Sequence, residues 1–282
     1  TNYNIDGNSH IFTCRLDIEG YWVLKEHKIF GLHTLPGTAI VELIRAAYEN
    51  ITGKIEMELM DVCFFKPLIV QDGEKIDIQI SLIDNNGVFD CLVNSLPKNK
   101  DDMGYTIAKG VVRNLRKKSL KSIAFSDIDI KNYETFNSNS IKFDISRLGP
   151  RWNNFVQIKV GEKEGLGELK LSNEYASDLE HFKLHPALLD VAVALSWYEG
   201  NFLPFSYGKV RIYSSLTNRI FIYYKQDDNN SNSKVTLQSD LIIYDINGQV
   251  LVEIEKYCVK RVSESTQRKI ESSNPNETKI ET

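Results

Sequence analysis

His27 and His33 stand just upstream of an apolar segment that opens at Pro36, and Asp190 lies inside a second apolar segment that opens at Pro186. An imidazole, with a reference pKa of about 6.5, can accept a proton near neutral pH, and a carboxylic acid can give one up. One segment could thus supply a base and the other an acid. That chemistry requires elements that carry the two groups to a common place.

The two segments are related to each other. Pro36-Gly-Thr-Ala-Ile-Val-Glu-Leu-Ile-Arg-Ala-Ala-Tyr-Glu-Asn50 and Pro186-Ala-Leu-Leu-Asp-Val-Ala-Val-Ala-Leu-Ser-Trp-Tyr-Glu-Gly200 lie 150 positions apart. Without gaps they share Pro36/Pro186, Val41/Val191, Tyr48/Tyr198 and Glu49/Glu199. Each predicts a helix started by proline, whose fixed φ and missing N–H suit a first turn. Strand-like sequence with period two follows each: residues 55–59, 62–70, 75–83, 87–94 and 105–113 in the first half, and 209–214, 219–224, 235–244 and 249–262 in the second. Strands at 11–17, 155–160 and 165–171 precede the helices, and Asp84-Asn-Asn-Gly87 predicts a hairpin turn. The pattern predicts one fold unit built twice, over 1–122 and 141–262, joined by a surface connector at 123–140. The tail at 263–282 has almost no apolar content and is expected to stay disordered, since burial cannot offset its ordering entropy.

Bulk composition narrows the partners. The chain has 282 residues, 42% of them hydrophobic, enough for a sizeable core. A formal charge of -4, from 34 basic and 38 acidic residues, gives no reason to expect nucleic acid or an anionic membrane. No apolar run approaches the roughly 20 residues needed to span a bilayer. Cys14, Cys63, Cys91 and Cys258 are scattered, without metal-ligand spacing, in a chain with no secretory leader, so reduced thiols and a cytoplasmic setting are expected. The basic stretch at 113–121 reads as a solvated face of the connector.

Four motifs in order resemble one family. His27-Lys-Ile-Phe-Gly31-Leu-His-Thr-Leu-Pro36 matches the HxxxGxxxxP signature of dehydratase domains from modular polyketide synthases, and Leu184-His-Pro-Ala-Leu-Leu-Asp190 is similar to their HPALLD segment. Leu148-Gly-Pro-Arg-Trp152 stands in the place of YGPxF, and Leu203-Pro-Phe-Ser-Tyr207 resembles LPFSW. The resemblance covers residues 11–262 and implies an α+β double hotdog, two antiparallel sheets each wrapped round a long central helix. It also implies loss of water from a 3-hydroxyacyl thioester on the phosphopantetheine arm of an acyl carrier protein, giving an α,β-unsaturated thioester without redox cofactor or metal. The other domains of a synthase, and a second copy in a homodimer, would be the further partners.

Under that resemblance His27 is the base and Asp190 the acid. An ordinary aspartic acid, with a reference pKa of about 3.9, is protonated about one part in a thousand at pH 7. The apolar neighbours Leu188, Leu189, Val191 and Val193 predict surroundings in which desolvation favours its protonated form. Negative charge growing on the thioester carbonyl needs a donor, which Gly31 or Gly37 would supply from its backbone. Pro36 and Pro186 serve as helix starters at the site, and Gly149, Pro150, Trp152, Phe205 and Tyr207 are expected beside the substrate, as core or channel wall. Trp197 belongs with the aromatic residues of that wall, while His33 and His185 are expected to shape loops.

Two departures stand close to the acid. Leu148 replaces the family's usual tyrosine, and Ala194 replaces its Gln or His four residues beyond the aspartate. Tyr198, Tyr207 or Arg151 could substitute. The losses keep open an enoyl isomerase or cyclase of the same fold, a silent carrier-binding domain, and a hotdog thioesterase. His27, Gly31, Pro36 and Asp190 together favour elimination.

Overall fold

The computed structural model describes residues 1–97, 102–116, 122, 128, 133–137, 148–197, 202–228 and 235–262. Strands β1 (Asn2–Asp6) and β2 (Ser9–Asp17) lead to a short helix α1 (Trp22–Glu26), a two-stranded hairpin of β3 (Lys28–Ile29) and β4 (Leu32–His33), and the long helix α2 (Gly37–Thr52). A meander of β5 (Met57–Phe64), β6 (Lys75–Asn85), β7 (Val88–Ser95) and β8 (Tyr105–Asn114) completes the first half. The second half comprises β9 (Glu134–Asn137), β10 (Phe155–Val160), β11 (Glu164–Lys170), α3 (Asp178–His181), α4 (Pro186–Ala194), β12 (Phe202–Ile212), β13 (Arg219–Gln226), β14 (Thr236–Tyr244) and β15 (Val250–Arg261).

The apolar period decides each element. On β6, Ile76, Ile78, Ile80 and Leu82 alternate with Asp77, Gln79 and Ser81, and the four aliphatic side chains are buried. The β6–β7 turn pairs Asn85 with Val88 across Asn86 and Gly87, whose φ angles of 58° and 82° are those of a type I′ hairpin. Helix α2 buries Ile40, Val41, Ile44, Ala47 and Tyr48 and ends at Gly53, in the left-handed region, whose N–H reaches Glu49. Pro36 caps this helix from an extended conformation, whereas Pro186 occupies the first turn of α4. Asp190 is the one polar residue of α4, a helix apolar on every side and therefore suited only to an interior.

All the long strands join one antiparallel sheet in the order β1-β2-β6-β7-β8-β5-β12-β15-β14-β13-β11-β10-β9. Each half wraps its own helix, and the β5–β12 pairing, from Ser206 opposite Cys63 to Ile212 opposite Met57, welds the halves at the centre. This is the double hotdog. Glu58 sits at the weld between Arg113 of β8 and Arg211 of β12. Burial works to raise its carboxyl, but the two guanidinium groups outweigh that and hold it below the usual range.

Three expectations change. Residues 1–10, given no element above, carry a fully exposed edge strand, β1; residues 55–59 and 62–70, read as two strands, contribute one, β5; and Glu134–Asn137, inside the expected connector, pairs with β10 at the far edge. The tail at 263–282 and most of 123–140 lie outside the described residues. The four cysteines are free, and burial pushes the Cys91 thiol up to about 12 and the Cys14 thiol up to about 11, which disfavours thiolate chemistry at either. No helix of the described residues is long and apolar enough to cross a membrane.

Candidate active site

His27 is fixed by a local fold that its motif spacing encodes. It terminates α1, its N–H reaching Val23 O at 3.2 Å, and the chain then turns back through the β3–β4 hairpin. Phe30 and Gly31 occupy the hairpin turn with φ of 50° and 78°, where glycine carries little steric cost. The return strand lays Thr34 beside the histidine: Thr34 N–H donates to His27 O at 3.1 Å, and His27 Nδ1 lies 2.6 Å from Thr34 O. A carbonyl can only accept, so Nδ1–H donates and Nε2 of the neutral ring keeps its lone pair. Gly31 is exposed at the tip, beside Phe30 of the cavity wall but not itself part of that wall.

Nε2 of His27 faces Oδ2 of Asp190 at 3.6 Å, with side-chain exposures of 7% and 19%. The same Oδ2 accepts the indole N–H of Trp152 at 2.9 Å, and that ring stands 5.4 Å from the imidazole. Thr38 Oγ1, on α2, lies 3.2 Å from Pro186 O and 3.4 Å from Asp190 Oδ1, so one hydroxyl ties the two central helices together at the acid. His27 and Asp190 share the wall of a cavity of about 250 Å³, otherwise mostly apolar, with Pro36, Gly37, Ile40, Phe64, Ala194 and Phe202 among its lining. Phe65, Lys66 and Pro67 also line it and are exposed.

The surrounding frame clamps the halves around this pair. Glu26, the neighbour of His27, accepts the Arg151 N–H at 3.0 Å and pairs with the Arg151 guanidinium, and its carbonyl accepts Gly149 N–H at 2.7 Å. A Cβ at position 149 would stand 2.4 Å from the Glu26 Cβ, so the backbone approach requires glycine. Arg151 continues to Asp178 at 2.6 Å and stacks over Trp22 and Tyr175. His185 caps α4, its Nδ1 accepting Leu188 N–H at 3.3 Å, and burial lowers its pKa to about 4. Deeper in, Glu42 of α2 accepts the N–H groups of Lys183 and Leu184 at 3.0 Å each while holding Arg45.

Models of two family regions match the chain: "Polyketide synthase dehydratase domain" over residues 3–95 and "Polyketide synthase dehydratase N-terminal domain" over residues 126–269. The chain belongs to the polyketide synthase dehydratase family. It is 23% identical over 256 residues to polyketide synthase PksM of Bacillus subtilis (strain 168), covering 82% of this chain and 6% of that protein. Against polyketide synthase GfsA of Streptomyces halstedii it is 24% identical over 281 residues, with 93% and 4% covered. The chain thus spans a small fraction of the curated relatives it matches. A trans-AT synthase dehydratase domain from Brevibacillus brevis superposes with TM-score 0.80 at 19% identity, covering 93% and 96% of the two chains. The dehydratase domain of the CurJ module of curacin synthase does so with TM-score 0.81 at 19% identity, covering 94% and 96%.

The family's motifs contribute unequally in this dehydratase-family domain. Pro36, Gly37 and Ala194 line the cavity. Leu148, Gly149 and Pro150 are not on its wall; Leu148 packs against the core and Gly149 serves the clamp on Glu26. Pro186 is buried and meets Thr38 through its carbonyl. Phe205 is corrected outright: it is 43% exposed, with Lys260 over its ring, because the register shift between Pro204 and Ser206 breaks the alternation of β12 and turns this side chain outward while Tyr207 stays buried. Tyr207 is buried behind Phe64 rather than on the wall. Arg151 is committed to the clamp, Tyr198 lies outside the described residues, and Asp190 is instead met by the donors Trp152 and Thr38. His33 and His185 do shape loops, His33 Nδ1 donating to Leu24 O at 2.7 Å. Thr34, Thr38 and Glu42 were missed by sequence reasoning. The available signal was Glu42 one turn after Thr38 and three residues before Arg45, charged residues set into the apolar first half of the helix.

Proposed function

We propose that this domain is a hydro-lyase that removes water from a 3-hydroxyacyl thioester carried on the phosphopantetheine arm of an acyl carrier protein, with His27 as base and Asp190 as acid. The observation that carries the reading is the 3.6 Å approach of His27 Nε2 to Asp190 Oδ2 on the wall of one shared cavity, with the imidazole tautomer fixed by Thr34 O. Nε2 takes the proton from C2, the C2–C3 double bond forms as the C3–O bond breaks, and the Asp190 carboxyl protonates the leaving oxygen to give water. Thr34 O stabilises the imidazolium through Nδ1–H, and Trp152 N–H stabilises the carboxylate left on Asp190. The proton gained by one group and lost by the other returns across the same short gap, which resets the pair. Gly37, at the start of α2 and on the cavity wall, is placed to offer its N–H to the thioester oxygen.

Proton transfer accounts for every step, so the proposal invokes no redox cofactor or metal. The acyl carrier protein, the other domains of a synthase, a homodimer and a cytoplasmic setting belong to the same proposal. The test is incubation with 3-hydroxyacyl carrier proteins followed by mass analysis. Loss of one water is the expected result, slowed at least about a hundredfold by His27→Ala or Asp190→Asn. Unchanged mass with a migrated alkene would point to isomerisation, free acid to a thioesterase, and carrier binding without turnover to a silent domain.

A further inference from the structure

Beside Asp190 the interior holds polar atoms that the elimination does not use. Asp190, Ala194 and Trp197 follow at spacings of four and three residues along α4 and the 3₁₀ turn that extends it, so they share one side, and all three line the cavity. The Trp197 indole N–H is buried without a hydrogen-bond partner among the described residues, and so are the hydroxyls of Tyr207 and Tyr257. These tyrosines are register partners on β12 and β15, their rings stack at 4.8 Å, and each is 1% exposed. Tyr207 meets Phe64 of the cavity wall edge-on at 5.9 Å, and Trp197 meets Phe202 of that wall at 6.1 Å.

Electrostatics place the group in one neighbourhood. Burial raises the Tyr207 phenol, and the charge of Asp190 adds to it. Burial also raises the Tyr257 phenol, with Tyr207 and Asp190 adding and the Trp197 indole pulling the other way. An unpartnered buried hydroxyl costs stability that phenylalanine in the same volume would not. The three groups lie near enough to influence one another, Tyr257 lowering the Tyr207 phenol and Trp197 the Tyr257 phenol, but none makes a full hydrogen bond, so an added oxygen would complete the set. Phenols donate or accept and indole only donates, so together they suit one acceptor atom. With no cation in the group and a carboxyl alongside, that atom is neutral.

We propose that Trp197 on the cavity wall, with Tyr207 and Tyr257 in the layer behind it, forms a subsite for a neutral oxygen near Asp190, supplied either by a hydroxyl or carbonyl of the acyl chain beyond C3 or by the water released in the elimination. The subsite deepens the dehydratase reading and rests on it for the presence of an acyl chain in the cavity. A chain oxygen held here would make the domain selective for oxygenated intermediates. A held water would keep the product from re-adding while the alkene leaves.

The test uses unreactive acyl-pantetheine amides lacking a 3-hydroxyl, in matched pairs with and without a hydroxyl further along the chain. Calorimetric Kd values are measured for the parent and for Tyr207→Phe, Tyr257→Phe and Trp197→Phe, and a crystal structure is solved with the plain amide. A chain-oxygen site gives at least about a tenfold preference for a hydroxylated amide in the parent, lost in the variants. A water site gives no preference, but an ordered water bridges at least two of the three groups in the plain-amide complex. Parent Kd values within about twofold for every pair, with no oxygen density within hydrogen-bond reach of the three groups, would overturn the proposal. Binding of unreactive amides is readable whether or not the parent turns over, so failure to dehydrate strikes the elimination reading alone.

Discussion

The indole N–H of Trp152 donates to Oδ2 of Asp190 across 2.9 Å, and this oxygen is the one that faces Nε2 of His27 at 3.6 Å. With Leu148 and Ala194 apolar near the acid, Trp152 is what orients the carboxyl toward the base. Trp152→Phe keeps a ring in the buried slot and removes only the donor. A hydrogen bond to a charged group contributes about 1.5–3 kcal/mol, so kcat is expected to fall about 10- to 100-fold with KM little changed. Steady-state kinetics beside a melting curve would check this, and an unaltered kcat in a folded variant would remove Trp152 from the mechanism.

Gly149 and Glu26 approach so closely that any side chain at 149 displaces the glutamate. Gly149→Ala should loosen the Glu26–Arg151 pair and shift His27 relative to Trp152, costing about 2 kcal/mol of stability, as overpacking does. Chemical denaturation gives the stability term. Turnover should drop as well, and normal turnover at normal stability would show that the clamp tolerates the change.

Glu42 holds two backbone N–H groups just before α4 and the buried guanidinium of Arg45. Glu42→Ala leaves that cation short of a partner, although Glu49 still reaches it, and frees the entry to the helix that carries Asp190. A loss of about 3 kcal/mol is expected from breaking a buried pair. Glu42→Gln, which preserves shape and an acceptor, should lose less; equal losses would mean that the charge alone supplies the interaction.

His185 couples stability to pH. Its pKa falls from about 6.5 when unfolded to about 4 in the fold, chiefly through burial. The unfolded chain therefore binds the proton more readily between these values. Stability from this group is complete above about pH 6.5 and is lost as pH falls toward 4, by about 3 kcal/mol in total. His185→Asn, which can still cap α4, should flatten that part of the profile in urea titrations at pH 7, 5.5 and 4.5. An unchanged slope would assign the acid sensitivity to other groups.

Several features were legible along the chain because they depend on near neighbours. The Asn86–Gly87 turn follows from residues that accept positive φ, and the aliphatic alternation of β6 fixes its inner face. The duplicated helices followed from comparing one half with the other. Exposed or short strands such as β1 and β9 were hidden, because their order comes from a neighbouring strand and not from burial of their own side chains.

By itself, then, the sequence determined two helix-and-sheet units, a histidine leading into one helix and a lone acid inside the other. Tertiary structure alone decided that Trp152 holds Asp190 across 38 positions, that Glu26 grips Arg151 across 125, and that Phe205 faces outward while Tyr207 and Tyr257 stack inside. Periodicity and turn chemistry act over a few residues, whereas these partnerships exist only once distant segments have folded together, and the Glu26–Arg151 grip only once both halves have closed along β5 and β12.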